Sequence, residues 1–373
     1  MSGYIYSIET AFFLFPFMAA LFTMPYVVYH YHKYGAVMIF RSIIVYSFIL
    51  YLINLYFLVI LPLPSIEHVA NLKTLFVQLI PFQFVVDFLK ESGLQWNHPA
   101  TYLGAFRHAS FYNVIFNVMM FVPYGIYLKY YFNCSFRKTF LYSFFLSLFF
   151  ELTQLSGLYG IYPRPYRLFD VDDLMINTLG GIIGYSITRF LFFLPSRQKL
   201  DELSYRKGDM VSFYRRLVAY FFDMIIVFFL LLFIKHFPVI IILYYFVLPV
   251  FTKGRTLGKR IVQIKLVHEN NQPLKWYQPL LRYGLLYGTL FGLPYLAFHV
   301  FAPFYASNNI ILLLGVLSSA FLVIILYFYF FFECLRSSFF HKKLFLYERM
   351  SKTKNVSTIQ KKSTNTFCTN KLK

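Results

Sequence analysis

Glu151, Gln154, Arg164, Arg167, Asp170, Asp172, Asp173 and Asn177 crowd into one stretch of a chain whose surroundings are mostly Phe, Leu, Ile, Tyr and Val. Each residue type has its own chemistry. Carboxylates at this density can hold a divalent cation through oxygen. Guanidinium groups can grip phosphate or carboxylate in a bidentate fork. Side-chain amides hydrogen-bond sugar hydroxyls and peptide groups. An ionisable group at a bilayer centre costs roughly 2.5–3.5 kcal/mol on insertion scales. Such residues are kept where they pair, face a cavity or act.

The elements that must position them are membrane helices. The chain is 59% hydrophobic and 13% charged, against about 25% charged in a soluble domain. The sequence predicts an all-α, polytopic helical membrane protein with about nine transmembrane helices in two bundles. They fall at 10–30, 38–62, 112–131, 139–157, 173–194, 212–234, 238–252, 279–303 and 310–333. The seventh is short for a span of about 20 residues, and Pro238 and Pro249 bracket it. The long connection between the second and third carries an apolar run, Phe76–Leu89, expected as an interfacial helix. A cleavable signal peptide is not expected, because Met1–Ile8 has no Lys or Arg and the first apolar segment is long enough to span.

Charge sets the expected orientation. With the N-terminus outside, 28 of the 35 Lys and Arg fall in inner connections and 6 in outer ones, with Arg41 inside a span. That is the positive-inside pattern. It also accounts for the net charge of +20 without nucleic acid, since the excess lies against anionic lipid at the cytoplasmic face. Cys134, Cys334 and Cys368 fall at the inner side, where thiols stay reduced.

In this topology the polar residues of three helices meet at one level. Asn113 and Asn117 lie one turn apart at the outer start of the third helix. Glu151 and Gln154 share a face near the outer end of the fourth, and Asp173 and Asn177 at the outer start of the fifth. Arg164 and Arg167 lie between the last two, where either is expected to meet Glu151. Blander roles compete: Asp170 as the N-cap of the fifth helix, and Gly180 and Gly184 as a GxxxG packing face. No metal site and no cofactor are expected from the motifs.

These residues carry a resemblance. N-x3-N-x5-P-x-G (Asn113, Asn117, Pro123, Gly125), E-x2-Q (Glu151, Gln154) and R-x2-D-x-D-D-x3-N-x2-G-G-x2-G (Arg167 to Gly184) resemble the VanZ-like family over about residues 10–195. The resemblance implies an integral membrane protein linked, in some members, to teicoplanin or other glycopeptide tolerance. Further on, Arg216, Asp223 and the segment Gly254–Arg260 (GRTLGKR) resemble the RDD family over about 208–340. That family is named for one Arg and two Asp, and here no Asp follows Lys235. GRTLGKR is not a Walker A loop, because three residues rather than four separate its glycines. It reads as a basic turn touching lipid headgroups.

The expected organisation is a VanZ-like domain at 1–195, a cytoplasmic linker at 196–210, an RDD-like domain at 211–340 and a basic, disordered tail at 341–373. Three functions compete. One is an outward-facing pocket for a cell-wall precursor or glycopeptide, built from Asn113, Asn117, Glu151, Gln154, Arg164, Arg167, Asp170, Asp172, Asp173 and Asn177. Another is an ion or solute path using the Arg216–Asp223 pair. The third is an enzyme acting on a lipid-linked phosphate. The first is preferred because the first half holds most of the polar residues.

Overall fold

A computed structural model describes residues 2–73, 75–95, 97–234, 237–301, 310–339 and 344–359. Cys368, Lys235 and the tail from residue 360 lie outside the described residues. The described residues are mostly helical, with two small two-stranded sheets among them. It divides into two compact units: Met1–Thr23 with Ile39–Leu200, and Met24–Met38 with Asp201–Lys373. The long first helix, α1 (Ser2–Tyr34), contributes to both.

Among the described residues, five helices are long and apolar enough to cross a membrane: Ser7–Tyr34, Ile39–Ile60, Ala109–Tyr130, Phe213–Phe233 and Leu314–Ser338. The protein is therefore a multi-pass membrane protein. The number differs from the nine expected spans, for local reasons. The fourth and fifth expected spans are helices of 20 and 17 residues that carry buried polar side chains, which lower their hydropathy. The seventh breaks into helical pieces around a π-helical segment, Ile242–Val247, and the eighth is interrupted by another at Gly288–Gly292.

In the first unit, α2 (Ile39–Ile60) leads to a connection holding β1 (Val77–Gln78) and the short helix α3 (Gln83–Glu91). Then come α4 (Ala109–Tyr130), α5 (Phe136–Leu155), β2 (Phe169–Asp170) and α6 (Val171–Ile187). The run at 76–89, expected as one interfacial helix, is helical only from Gln83; before it, β1 pairs parallel with β2. Helices α4 and α6 touch backbone to backbone. A Cβ on Gly180 or Gly184 would overlap the carbonyls of Val118 and Val122, and one on Gly125 would overlap Gly181. The GxxxG pair is thus a packing face. Helix α5 lies on the other side of α6. It turns Thr139, Ser143, Ser147 and Glu151 inward at four-residue spacing, all of them buried. The faces away from these contacts are Phe, Leu and Ile, among them Phe140, Leu141, Phe145 and Phe149, as a lipid-facing surface requires.

Helix α7 (Arg197–Gly208) occupies much of the expected linker and leads from the first unit into the second. It precedes α8 (Phe213–Phe233), the short helix α9 (Leu257–Ile261), β3 (Ile264–His268), α10 (Tyr277–Tyr287) and α11 (Ile310–Phe339). Of the tail expected to be disordered at 341–373, residues 344–359 are described and are ordered. Leu346–Met350 forms a helix, α12, and Thr353–Ser357 forms β4, antiparallel to β3 from Ile264↔Ser357 to His268↔Thr353. Low aromatic content suggests disorder. The order comes instead from a ladder and from Glu348, which is fully buried.

Candidate functional site

At the start of α6 three acidic residues take three separate tasks. Asp170 is extended at φ −124°, and its Oδ1 accepts the Asp172 amide at 2.8 Å, the N-cap expected from sequence. Its own amide donates to Glu151 Oε2 at 2.9 Å, tying α5 to the start of α6. Burial lifts the Asp170 carboxyl above its usual range, and the neighbouring Asp172 and Asp87 add to the lift.

Asp172 points the other way. Its two carboxylate oxygens accept the amides of Phe82 and Phe84 at 2.6 and 2.8 Å. Phe82 sits in the left-handed region at φ 64° and offers no capping side chain to α3. Asp172 supplies the missing cap from 90 residues away in sequence, satisfying amides that a helix start leaves without partners. Asp173 is the acceptor for Asn117 Nδ2 at 2.7 Å. Asn177 donates to Ser147 Oγ at 3.0 Å, and Ser147 donates to the Asp173 carbonyl at 3.3 Å.

These groups border a polar cleft of about 360 Å³ between α3, α4 and α6. Of the ten residues expected in the site, Asn113, Asn117, Asp170, Asp172 and Asp173 line it. Asp87, Glu91 and Ser110 line it as well, with Ser110 donating to Glu91. Asp87 and Glu91 belong to the long outer connection and are not among the residues expected in the site. Their four-residue spacing, which puts both on one face of α3, is the signal that could have found them.

The other five lie outside the lining. Arg167 donates to Val59 O at 2.7 Å and Leu61 O at 3.2 Å, and Gln154 to Val59 O at 3.1 Å. Together they satisfy carbonyls at the end of α2, where a cation also suits the helix dipole. Arg164 donates to the Leu72 carbonyl and lies 4.5 Å from the centre of the Phe76 ring. Glu151, expected on a guanidinium, is bonded to the Asp170 amide instead. Asn177 is buried along the α5–α6 seam. For Arg164, Arg167, Gln154 and Glu151 the physical reason is common: a helix end or a tight connection inside a membrane must satisfy its own backbone first.

In the second unit the expected Arg216–Asp223 pair is replaced by two separate networks. Arg216 bonds both oxygens of Glu348 at 3.0 and 3.1 Å, and Arg282 reaches the same carboxylate at 2.6 Å. Burial alone would raise Glu348, but the two guanidinium groups hold it below its ordinary value. Asp223 accepts from Tyr244 Oη at 2.6 Å, Thr256 Oγ1 at 2.7 Å and the Gly258 amide at 2.7 Å. Thr256 and Gly258 belong to GRTLGKR. That segment therefore docks on α8, and Lys259 is buried rather than presented to headgroups. A Cβ on Gly258 would overlap the Ala219 carbonyl, so the close approach needs glycine. Lys259 donates to Tyr283 Oη at 2.5 Å, and burial pushes its ammonium down to about 7.

Arg215, not singled out from sequence, is fully buried and donates to the carbonyls of Gly208, Val262 and Gln263, each at 2.8 Å. The adjacent Arg216 masks it, since nothing in the spacing says which of the two faces inward.

Among the described residues no three His, Cys, Asp or Glu side chains are placed to hold a metal ion. No curated protein and no solved structure matches the chain. Two family models do match. VanZ/LLP1 covers residues 48–194, which contain every element of the cleft, and the RDD family covers 236–341, which contains GRTLGKR, Lys259 and Arg282. The chain is accordingly a membrane protein that joins a VanZ-like segment to an RDD-family segment.

Proposed function

We propose that the VanZ-like segment binds a polar cell-envelope or glycopeptide ligand in the cleft between α3, α4 and α6, and so contributes to teicoplanin and glycopeptide tolerance. The observation that carries this reading is the cleft itself. In a chain that is 59% hydrophobic, eight polar residues border one opening of about 360 Å³. The charge split of the connections supports an outward-facing cleft, with the N-terminus outside and the C-terminus cytoplasmic.

The lining refines the ligand chemistry. The arginines expected to grip phosphate or carboxylate donate to backbone carbonyls instead. Asp87, Glu91, Asp170 and Asp173 leave an acidic wall, with Asn113 and Asn117 beside it. Such a wall suits the hydroxyls, amide N–H groups and amines of a sugar-bearing peptide better than a phosphate. Deletion and overexpression, read as susceptibility to teicoplanin, vancomycin and unrelated wall-active agents, tests the proposal. Deletion should sensitise cells to glycopeptides selectively. An unchanged glycopeptide susceptibility on both deletion and overexpression contradicts it.

A further inference from the structure

The second unit holds a separate, partly open cavity of about 220 Å³. Its walls are largely aromatic, Tyr220, Tyr245, Tyr283, Phe213 and Phe330 among them, and its polar groups are Arg216, Asp223, Lys259, Arg282 and Asn355. Both neighbouring carboxylates already have their partners. Asp223 accepts three hydrogen bonds. Glu348 accepts from Arg216, Arg282 and the Phe345 amide. Three cations thus stand against two carboxylates.

The surplus falls on Lys259. It is buried, its hydrogen-bond partner is the neutral phenol of Tyr283 at 2.5 Å, and among the described residues no carboxylate lies within ion-pair distance of it. Among the described residues Arg216 Nε, also buried, has no hydrogen-bond partner. Asp223 and Glu348 act on Lys259 only from beyond ion-pair distance; a buried charge without a direct partner is costly, and a cavity beside it offers room for one.

We propose that this cavity is a binding site for a small organic monoanion: a carboxylate on a compact aromatic body, its head between Lys259 and Arg216 Nε and its ring among the tyrosines. Size limits the class. An apolar cavity of about 150 Å³ takes benzene, so 220 Å³ takes roughly nine heavy atoms by proportion. That is the size of a benzoate. Burial disfavours the charge on Lys259, and a carboxylate alongside restores it. The site is independent of the cleft in the VanZ-like segment and does not rest on the function proposed for it.

The probe is radiolabelled benzoate, measured by equilibrium dialysis against the full chain in detergent, with empty micelles as the blank. Benzyl alcohol and benzylamine serve as neutral and cationic ligands of the same size. Benzoate should bind at least about tenfold more tightly than either, a factor worth 1.4 kcal/mol. Lys259→Met should lose at least that factor, while Ser186→Ala, at an exposed position of the other segment, should leave binding unchanged. Should Lys259→Met fail to fold, the three-ligand comparison on the unaltered chain decides alone. Benzyl alcohol or benzylamine binding as well as benzoate overturns the proposal, as does undiminished benzoate binding by a folded Lys259→Met.

Discussion

At the scale of single residues, the three acids at the start of α6 are alike in type and different in work. Asp170 caps its own helix, Asp172 caps α3 and Asp173 holds Asn117. Asp172→Asn keeps the shape but offers only one acceptor oxygen to two amides. It should loosen α3 by about 0.5–2 kcal/mol, the usual worth of a cap. Thiol labelling of Lys90→Cys should therefore quicken in the Asp172→Asn background and stay the same in Asp170→Asn. Glu348 is the corresponding test in the second unit. Glu348→Gln leaves Arg216 and Arg282 without their charge partner and should destabilise that unit by about 3–5 kcal/mol. The pH sign follows from the same ion pairs. The carboxyl of Glu348 is lowered from an ordinary 4.5 in the folded protein. Its contribution is therefore fully present above about 4.5 and is lost as pH falls below that value toward the folded one. Thermal melts should show this acid loss in the unaltered chain and not in Glu348→Gln. Residue types are partly legible in the sequence, since Asn113, Asn117, Asp170, Asp172 and Asp173 stand out against an apolar background, whereas Asp87 and Glu91 in the long connection do not. Their partners are not. Nothing in the chain's local pattern says that Asp172 caps a helix 90 residues earlier, or that the acid opposite Arg216 is Glu348.

At the scale of elements, helices are more legible in the sequence than their interruptions. Long apolar runs mark α2, α4 and α8 plainly. The π-helical breaks at Ile242–Val247 and Gly288–Gly292 have no strong composition signal beyond nearby Pro and Gly. The α4–α6 contact is legible through Gly180 and Gly184, and Gly125 completes it from the facing helix. Gly184→Leu places a branched side chain where the Val122 carbonyl already lies. It should separate α4 from α6 and abolish the Asn117–Asp173 bond, read as a fall in folded protein after detergent extraction. Gly93→Leu should have little effect on packing, because a Cβ there meets nothing within 4 Å, although its φ of +65° adds backbone strain. The buried row Thr139, Ser143, Ser147 and Glu151 is visible in sequence as a four-residue repeat. Its meaning depends on α6 lying against it, which no property of α5 alone reveals.

At the scale of the whole molecule, charge distribution and hydropathy make a multi-pass membrane protein legible from the amino-acid sequence, and the two family matches agree with the order of its halves. Orientation is the part that charge alone proposes. In a cysteine-free background, Ser156→Cys should label from the external medium of intact cells and Ser196→Cys only after permeabilisation. The reverse pattern would move the cleft to the cytoplasm. The central claim, that the cleft protects the cell envelope, is tested most directly by one comparison. The minimum inhibitory concentration of teicoplanin would be measured in a deletion strain carrying the unaltered chain, Asp173→Asn or Asn113→Ala, with membrane abundance matched by immunoblot. Tolerance restored by the unaltered chain and lost in both cleft variants is the predicted result. Full tolerance in both variants at equal abundance would contradict the account and leave the cleft a structural feature.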